Sequence, residues 1–221
     1  MGTWLHSAVG RSILDFNARL RQTLTTTTTI HRVAEPRPSL VQAERYAGAV
    51  AFPAYLESVV KNRQWWQDTY RLATVREEHA ARANALPSSW KLVAITEDWC
   101  GDAVNILPFV ARLVEAAPGT LEMRLLGRDA NPDLMNTHLT NGRTRSIPSI
   151  IVLDDNYLEY GWWGPRPLPL QEQAMGDWWQ LPKDERRLRI RMWYARDRGR
   201  ETHEELLRLL EGMTVDRQQP L

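Results

Sequence analysis

The chain has 221 residues, a formal net charge of +1 and one cysteine. That length buries a sizeable core in one domain plus an extension, and near-neutral charge excludes a general electrostatic pull toward nucleic acid or an anionic membrane. No stretch approaches the ~18 apolar residues of a membrane-spanning helix, and a lone cysteine excludes an intrachain disulfide or a four-thiolate metal site and fits a reducing, cytoplasmic compartment.

Residues 1 to 30 carry Arg11, Arg19 and Arg21 against one acid, Asp15, and close in the threonine run Thr25 to Thr29. They lack a secretory apolar segment and read as a short helix around residues 10 to 21 followed by an extended connector. Pro36 and Pro38 make residues 31 to 38 a poor helix and a boundary. Beyond it, Leu40, Ala43, Ala47 and Val50 share one helical face. Pro53 kinks or restarts that helix, and Leu56, Val59, Val60, Trp66, Tyr70 and Ala73 continue an apolar stripe. Residues 39 to 85 therefore read as two helices or one interrupted helix capping the domain that follows. Trp65-Trp66 fits core or cap packing better than a ligand platform, because aromatics at helical spacing usually bury.

From Trp90 the pattern becomes β-α-β. A buried strand over 90–96 gives way at Glu97-Asp98-Trp99-Cys100-Gly101-Asp102, and Ala103, Leu107, Val110, Val114 and Ala117 mark a helix over 101–117. Leu121, Met123 and Leu125 alternate as a second strand. A helix over roughly 132 to 140 starts at Asn131-Pro132 and stops at Asn141-Gly142. Ile150 to Leu153 form a third strand, with Tyr157 to Tyr160 as its hairpin partner. Gly161 to Pro167 reads as an irregular aromatic loop. Helices follow over Leu170–Trp179, Glu185–Tyr194 and Thr202–Leu210. The arginines between Arg186 and Arg200 read as a solvated face partly paired with local acids, not as a phosphate site.

Cys100 thus stands at a strand-to-helix junction, where unpaired N–H groups and the helix dipole favour a thiolate below the usual ~8.5. Asp102 can cap the same helix, yet its charge opposes a thiolate beside it. Glu97 and Asp98 read as loop solvation. The histidines (His6, His31, His79, His138 and His203) are scattered without metal-ligand spacing, and His138 reads as a satisfied surface residue. No phosphate-binding or dinucleotide-binding glycine motif is present, so no cofactor and no metal are expected.

Trp99-Cys100-Gly101, Pro108 and Ile147-Pro148, in this β-α-β-α-β-β order, resemble the thioredoxin superfamily over roughly residues 88 to 180. The resemblance implies an α/β, thioredoxin-like fold with a central mixed sheet. A helical extension would occupy 1–86, the thioredoxin-like domain 87–180 and a C-terminal helical extension 181–221. It also implies that Cys100 is the attacking thiol, that Trp99 shields it, that Pro108 kinks the helix, and that Pro148 follows a cis bond in a loop beside the thiol. This chain departs from the family pattern. Ala103 replaces the resolving cysteine, Asp102 replaces the usual proline, and Ala94 replaces the buried acid that serves the resolving cysteine. The dithiol cycle is therefore lost.

Two functions remain. One is a monothiol protein exchanging disulfides or removing glutathione through Cys100, with protein disulfides or glutathionylated proteins as partners and an external thiol such as glutathione as co-substrate and resolver. The other is a non-catalytic binding or structural module on the same fold, to which the Trp162-Trp163 pair and the added helices would contribute. Arg143 or Arg145, just before Pro148, are candidate activating cations, and Arg145 joins Trp99, Gly101, Asp102, Ala103, Ile147 and Pro148 as site-supporting residues. Exposed tryptophans offer a homodimer surface. Neither nucleic acid nor membrane is expected as a partner.

Overall fold

Strand β3 (Trp90–Thr96) is the spine of the sheet, buried along its length except at Lys91. The computed structural model describes residues 28–218; the helix expected around residues 10 to 21 lies outside them. On one side β3 pairs in parallel with β4 (Leu121–Gly127), and on the other antiparallel with β5 (Ser149–Leu153). Ala94 is level with Leu125 of β4 and with Ile150 of β5. The strands β1 (Ile30–Pro38), β2 (Val50–Ala51) and β6 (Leu158–Trp163) complete a mixed sheet of order β1-β6-β5-β3-β4-β2. The near-continuous apolar composition of β3 and β5 follows from cover on both faces.

Short helices precede β3: α1 (Ala43–Gly48), α2 (Phe52–Ser58), α3 (Arg63–Leu72) and α4 (Glu77–Asn84). The 15-residue α5 (Gly101–Glu115) crosses from β3 to β4, and α6 (Pro132–Asn136) precedes β5. After β6 come α7 (Leu168–Met175), a 3-10 turn at Asp177–Gln180, α8 (Lys183–Asp197) and α9 (Arg200–Gln218). Helix α5 packs between the sheet and helices α3 and α9. Leu206, Leu207, Leu209 and Leu210 of α9 are fully buried. The carboxylate of Glu205, the residue before them, accepts from Thr29 Oγ1 at 2.7 Å, Trp163 Nε1 at 2.8 Å and the Leu168 N–H at 2.6 Å. A buried carboxylate with three donors ties the last helix to the end of the sheet edge where Ile30 of β1 pairs with Trp163 of β6. No helix among the described residues is long and apolar enough to cross a membrane.

Several elements differ from the sequence reading. The N-terminal segment supplies strands β1 and β2 as well as helices. Pro36 and Pro38 sit in an edge strand whose pairing with β6 shifts register between Arg32 and Arg37, where a missing N–H donor is tolerated. Gly161-Trp162-Trp163 is strand, not loop: an added Cβ at Gly161 would meet the His31 carbonyl oxygen at 2.3 Å, so glycine lets β1 approach. Helix α6 stops at Asn136, where two polar side chains claim the Leu134 carbonyl. Thr137 Oγ1 donates to the Leu134 carbonyl at 2.9 Å, and His138 Nδ1 reaches the same oxygen at 2.7 Å. His138 is consequently buried, not at the surface, with Nε2 3.3 Å from a Glu159 oxygen.

Candidate functional site

The site begins where β3 runs out. Beyond Thr96 the chain makes two acidic anchors. Glu97 Oε1 accepts from the Asp129 N–H at 2.9 Å, holding the turn after β4. Asp98 Oδ2 accepts from the N–H groups of Val60 (3.0 Å) and Lys61 (2.8 Å), and its carbonyl accepts from Trp66 Nε1 at 2.9 Å. These acids fix the loop; they are not merely solvated. Trp99 follows with 43% of its surface exposed, and the Arg128 guanidinium lies 4.9 Å from its ring centre.

Cys100 is the N-cap of α5, with extended backbone. Its side chain is only 7% exposed. The thiol donates to the Ile147 carbonyl at 3.3 Å, and Sγ accepts from the Ala103 N–H at 3.5 Å. Ile147–Pro148 is a cis peptide, so Ile147 and Pro148 do lie in a loop against Cys100. Pro108 sits inside α5, and Ala103 and Ala94 are wholly buried.

Electrostatics hold the thiol in its protonated form. Burial pushes the Cys100 pKa up to about 11, and the Asp102 charge adds to that; the N–H groups of Ala103 and Asp102, and then Arg166, pull the other way without prevailing. Donation to Ile147 also favours the S–H state. Asp102 is itself held on three sides. Arg166 donates to both of its oxygens, Nε to Oδ1 at 2.9 Å and Nη2 to Oδ2 at 2.7 Å, and Tyr194 Oη donates to Oδ1 at 2.9 Å. Burial works against the Arg166 charge, but Asp102 more than offsets it and keeps the guanidinium ionised. Tyr194 stays protonated, chiefly through burial and then through the neighbouring carboxylate. The remaining Arg166 nitrogen, Nη1, donates to Gln171 Oε1 at 3.1 Å.

Arg145 turns away to donate to Asn136 Oδ1 at 2.9 Å; the cation beside Asp102 is Arg166. The sequence reading missed Arg166 and Tyr194. Tyr194 carries no local signal, but Arg166 stands in Gly164-Pro165-Arg166-Pro167, a turn whose Gly164–Pro165 bond is also cis. Among the described residues no group of three or more His, Cys, Asp or Glu gathers to hold a metal ion. Trp65 packs its indole toward Gly101, 3.6 Å from where a Cβ would sit, and the sides of α3, α5 and α8 enclose a cleft beside Asp102.

A β-α-β crossover with an antiparallel hairpin, a cysteine capping the crossover helix and a cis-proline loop against it define a thioredoxin-like protein. A family model described as thioredoxin matches residues 49–184, more than half of the chain, and the chain belongs to that family. It is similar in structure to a protein of unknown function from Pseudomonas aeruginosa, with a TM-score of 0.64 at 15% identity over 79% of this chain and 99% of that one. An HIV epitope scaffold aligns with a TM-score of 0.62 at 15% identity over 78% of this chain and 99% of the scaffold. At such identity these likenesses speak for the fold alone. No curated protein matches the chain.

Proposed function

We propose that the chain is a non-redox binding module on the thioredoxin fold, in which Cys100 caps a helix and no longer serves as a nucleophile. The observation that carries this reading is the partnering of Asp102. Its charge stands beside the thiol, and Arg166, the cation that could have stabilised a thiolate, is spent on that carboxylate. With a pKa of about 11, roughly one thiol in ten thousand is ionised at about pH 7, and the thiolate is the form that attacks disulfides. Ala103 leaves no internal group to resolve a mixed disulfide.

The competing reading is monothiol exchange, with an external thiol such as glutathione releasing a mixed disulfide on Cys100. The cis Ile147–Pro148 loop and the N–H groups around Sγ favour it. The rate of iodoacetamide alkylation of Cys100 against pH, with Cys100→Ser as blank, separates the two. An apparent pKa near 11 supports the binding module; one at or below the ordinary ~8.5 overturns it in favour of exchange.

A further inference from the structure

A cleft of about 410 Å³ opens beside the Asp102–Arg166 pair, within the ~300–1,000 Å³ range of small-molecule sites. Trp65 and Trp99 line it, together with Asn105, Ile190, Arg187 and Arg191. Its charge is unbalanced. Asp102 is already neutralised by Arg166, so the uncompensated charge comes from α8, where Arg187 and Arg191 lie one helical turn apart on one face. Arg187 comes no nearer than 3.6 Å to Asp184, a residue that is itself 95% exposed on its side chain. Arg191 has no ion pair or hydrogen bond among the described residues; its guanidinium lies over Trp65, 5.1 Å from the ring centre. A guanidinium lodged on an aromatic face is restrained without spending its N–H donors, which leaves them for an incoming acceptor. Two other arginines of α8 are committed elsewhere: Arg189 to Glu185 at 2.8 Å, and Arg186 to the Trp179 carbonyl at 3.1 Å.

We propose that this cleft binds a compact organic anion, its phosphate or carboxylate held by Arg187 and Arg191 and its apolar, flat portion laid against Trp65 and Trp99. The two arginines supply charge-assisted donors that match a doubly oxygenated anion. The two indoles supply apolar area next to a charged rim, the usual composition of a small-ligand site. The inference rests on the binding-module reading and names the ligand class for it.

Phenyl phosphate is the probe. Added to the full-length protein, it should shift the indole N–H resonances of Trp65 and Trp99 saturably, and added salt should weaken it. Arg187→Gln or Arg191→Gln should each weaken binding roughly tenfold, the loss expected of one charge-assisted contact. Both residues are exposed, and an unchanged melting temperature confirms that the variants fold. Inorganic phosphate should bind more weakly than phenyl phosphate because it lacks the flat body. Phenylacetate in place of phenyl phosphate tells whether carboxylate or phosphate is preferred, and binding of either supports the site. The proposal falls if no titration saturates, if the responding tryptophans lie elsewhere, if neutral phenol binds as well, or if the arginine variants bind unchanged. The alkylation profile of Cys100 is independent of this titration. A protonated Cys100 with no phenyl phosphate bound removes the anion site alone, whereas a reactive Cys100 removes the non-redox reading even if the probe binds.

Discussion

Arg166 grips Asp102 through both carboxylate oxygens, and Tyr194 reaches the same carboxylate from α8, so one side chain links the helix that Cys100 caps, the Pro165–Pro167 turn and the C-terminal helices. The pair is mostly shielded, with side-chain exposures of 22% for Arg166 and 16% for Asp102. It decides the charge that Cys100 faces.

Asp102→Asn therefore unmasks Arg166. The negative charge that raises the thiol disappears, and the guanidinium is left facing Sγ without its carboxylate. The Cys100 pKa should fall by roughly one unit or more from its native value of about 11, and alkylation near neutral pH should speed up in proportion. An unchanged pH profile would mean that burial alone sets the thiol, and the electrostatic account of the site would fail.

Arg166→Met should move the thiol in the opposite direction, because Arg166 lowers the Cys100 pKa. It should also destabilise the fold by about 2–3 kcal/mol, since a mostly buried carboxylate loses its bidentate partner. Pairing it with Asp102→Asn should cost less than the sum of the two changes, because neither group is then left alone. Urea midpoints of the two single variants and the double variant give the coupling directly.

The sequence carried the strand-to-helix junction clearly because both elements have strong, uninterrupted periodicity: β3 is an apolar run, and α5 repeats Ala103, Leu107, Val110 and Val114 on one face. The mixed sheet and the place of Cys100 at its switch from strand to helix were legible for that reason. Strand β1 was not, because its prolines look like a boundary unless one knows that it lies at the sheet edge. Residues Gly161 to Trp163 read as a loop for a related cause: a glycine that permits close backbone approach looks the same in sequence as one that makes a turn. The Asp102 partners were illegible for another reason. Arg166 and Tyr194 are 64 and 92 residues away along the chain, and an ion pair at that separation leaves no periodic trace. Cys100's position suggests an activated thiol; burial first and the neighbouring Asp102 second turn that expectation around, against the pull of Arg166.

Stability should fall on the acid side through His203. This residue is 1% exposed, and its Nε2 donates to the Phe109 carbonyl at 2.8 Å. Burial lowers its pKa from 6.5 to about 4; the Phe109 bond opposes that shift, and the neighbouring His79 adds to it. The unfolded chain takes up a proton near 6.5, whereas the native chain resists until about 4. Stability from this group is thus present above 6.5 and is lost as the pH falls between those values. Between about pH 7 and pH 5 the loss should be about 2 kcal/mol. His31, also lowered to about 4, acts in the same window. Glutamine at position 203 keeps a donor for Phe109 without titrating, so His203→Gln should flatten the pH dependence of the urea midpoint by that amount. A variant whose curve runs parallel to the native one would rule His203 out as the source.

Gly199 joins α8 to α9 at φ +78°, immediately after Arg198 at φ 53°. A Cβ there would lie 2.4 Å from Phe109 Cδ1 and 2.8 Å from Phe109 Cβ. The near end of a packed side chain cannot yield as a flexible tip would, so Gly199→Ala combines left-handed backbone strain with a clash against α5. The expected cost is about 2–4 kcal/mol. Gly119→Ala is the matched control: its φ is +79°, and nothing stands within 4 Å of the added carbon. It should therefore cost only about 1 kcal/mol of strain. The difference between the two in thermal unfolding isolates the contact with Phe109. If that contact holds α8 in place, Gly199→Ala should also loosen Tyr194 from Asp102 and weaken phenyl phosphate, because Tyr194, Arg187 and Arg191 all ride on α8. Equal losses for the two alanine variants would show that α8 is positioned without help from Phe109.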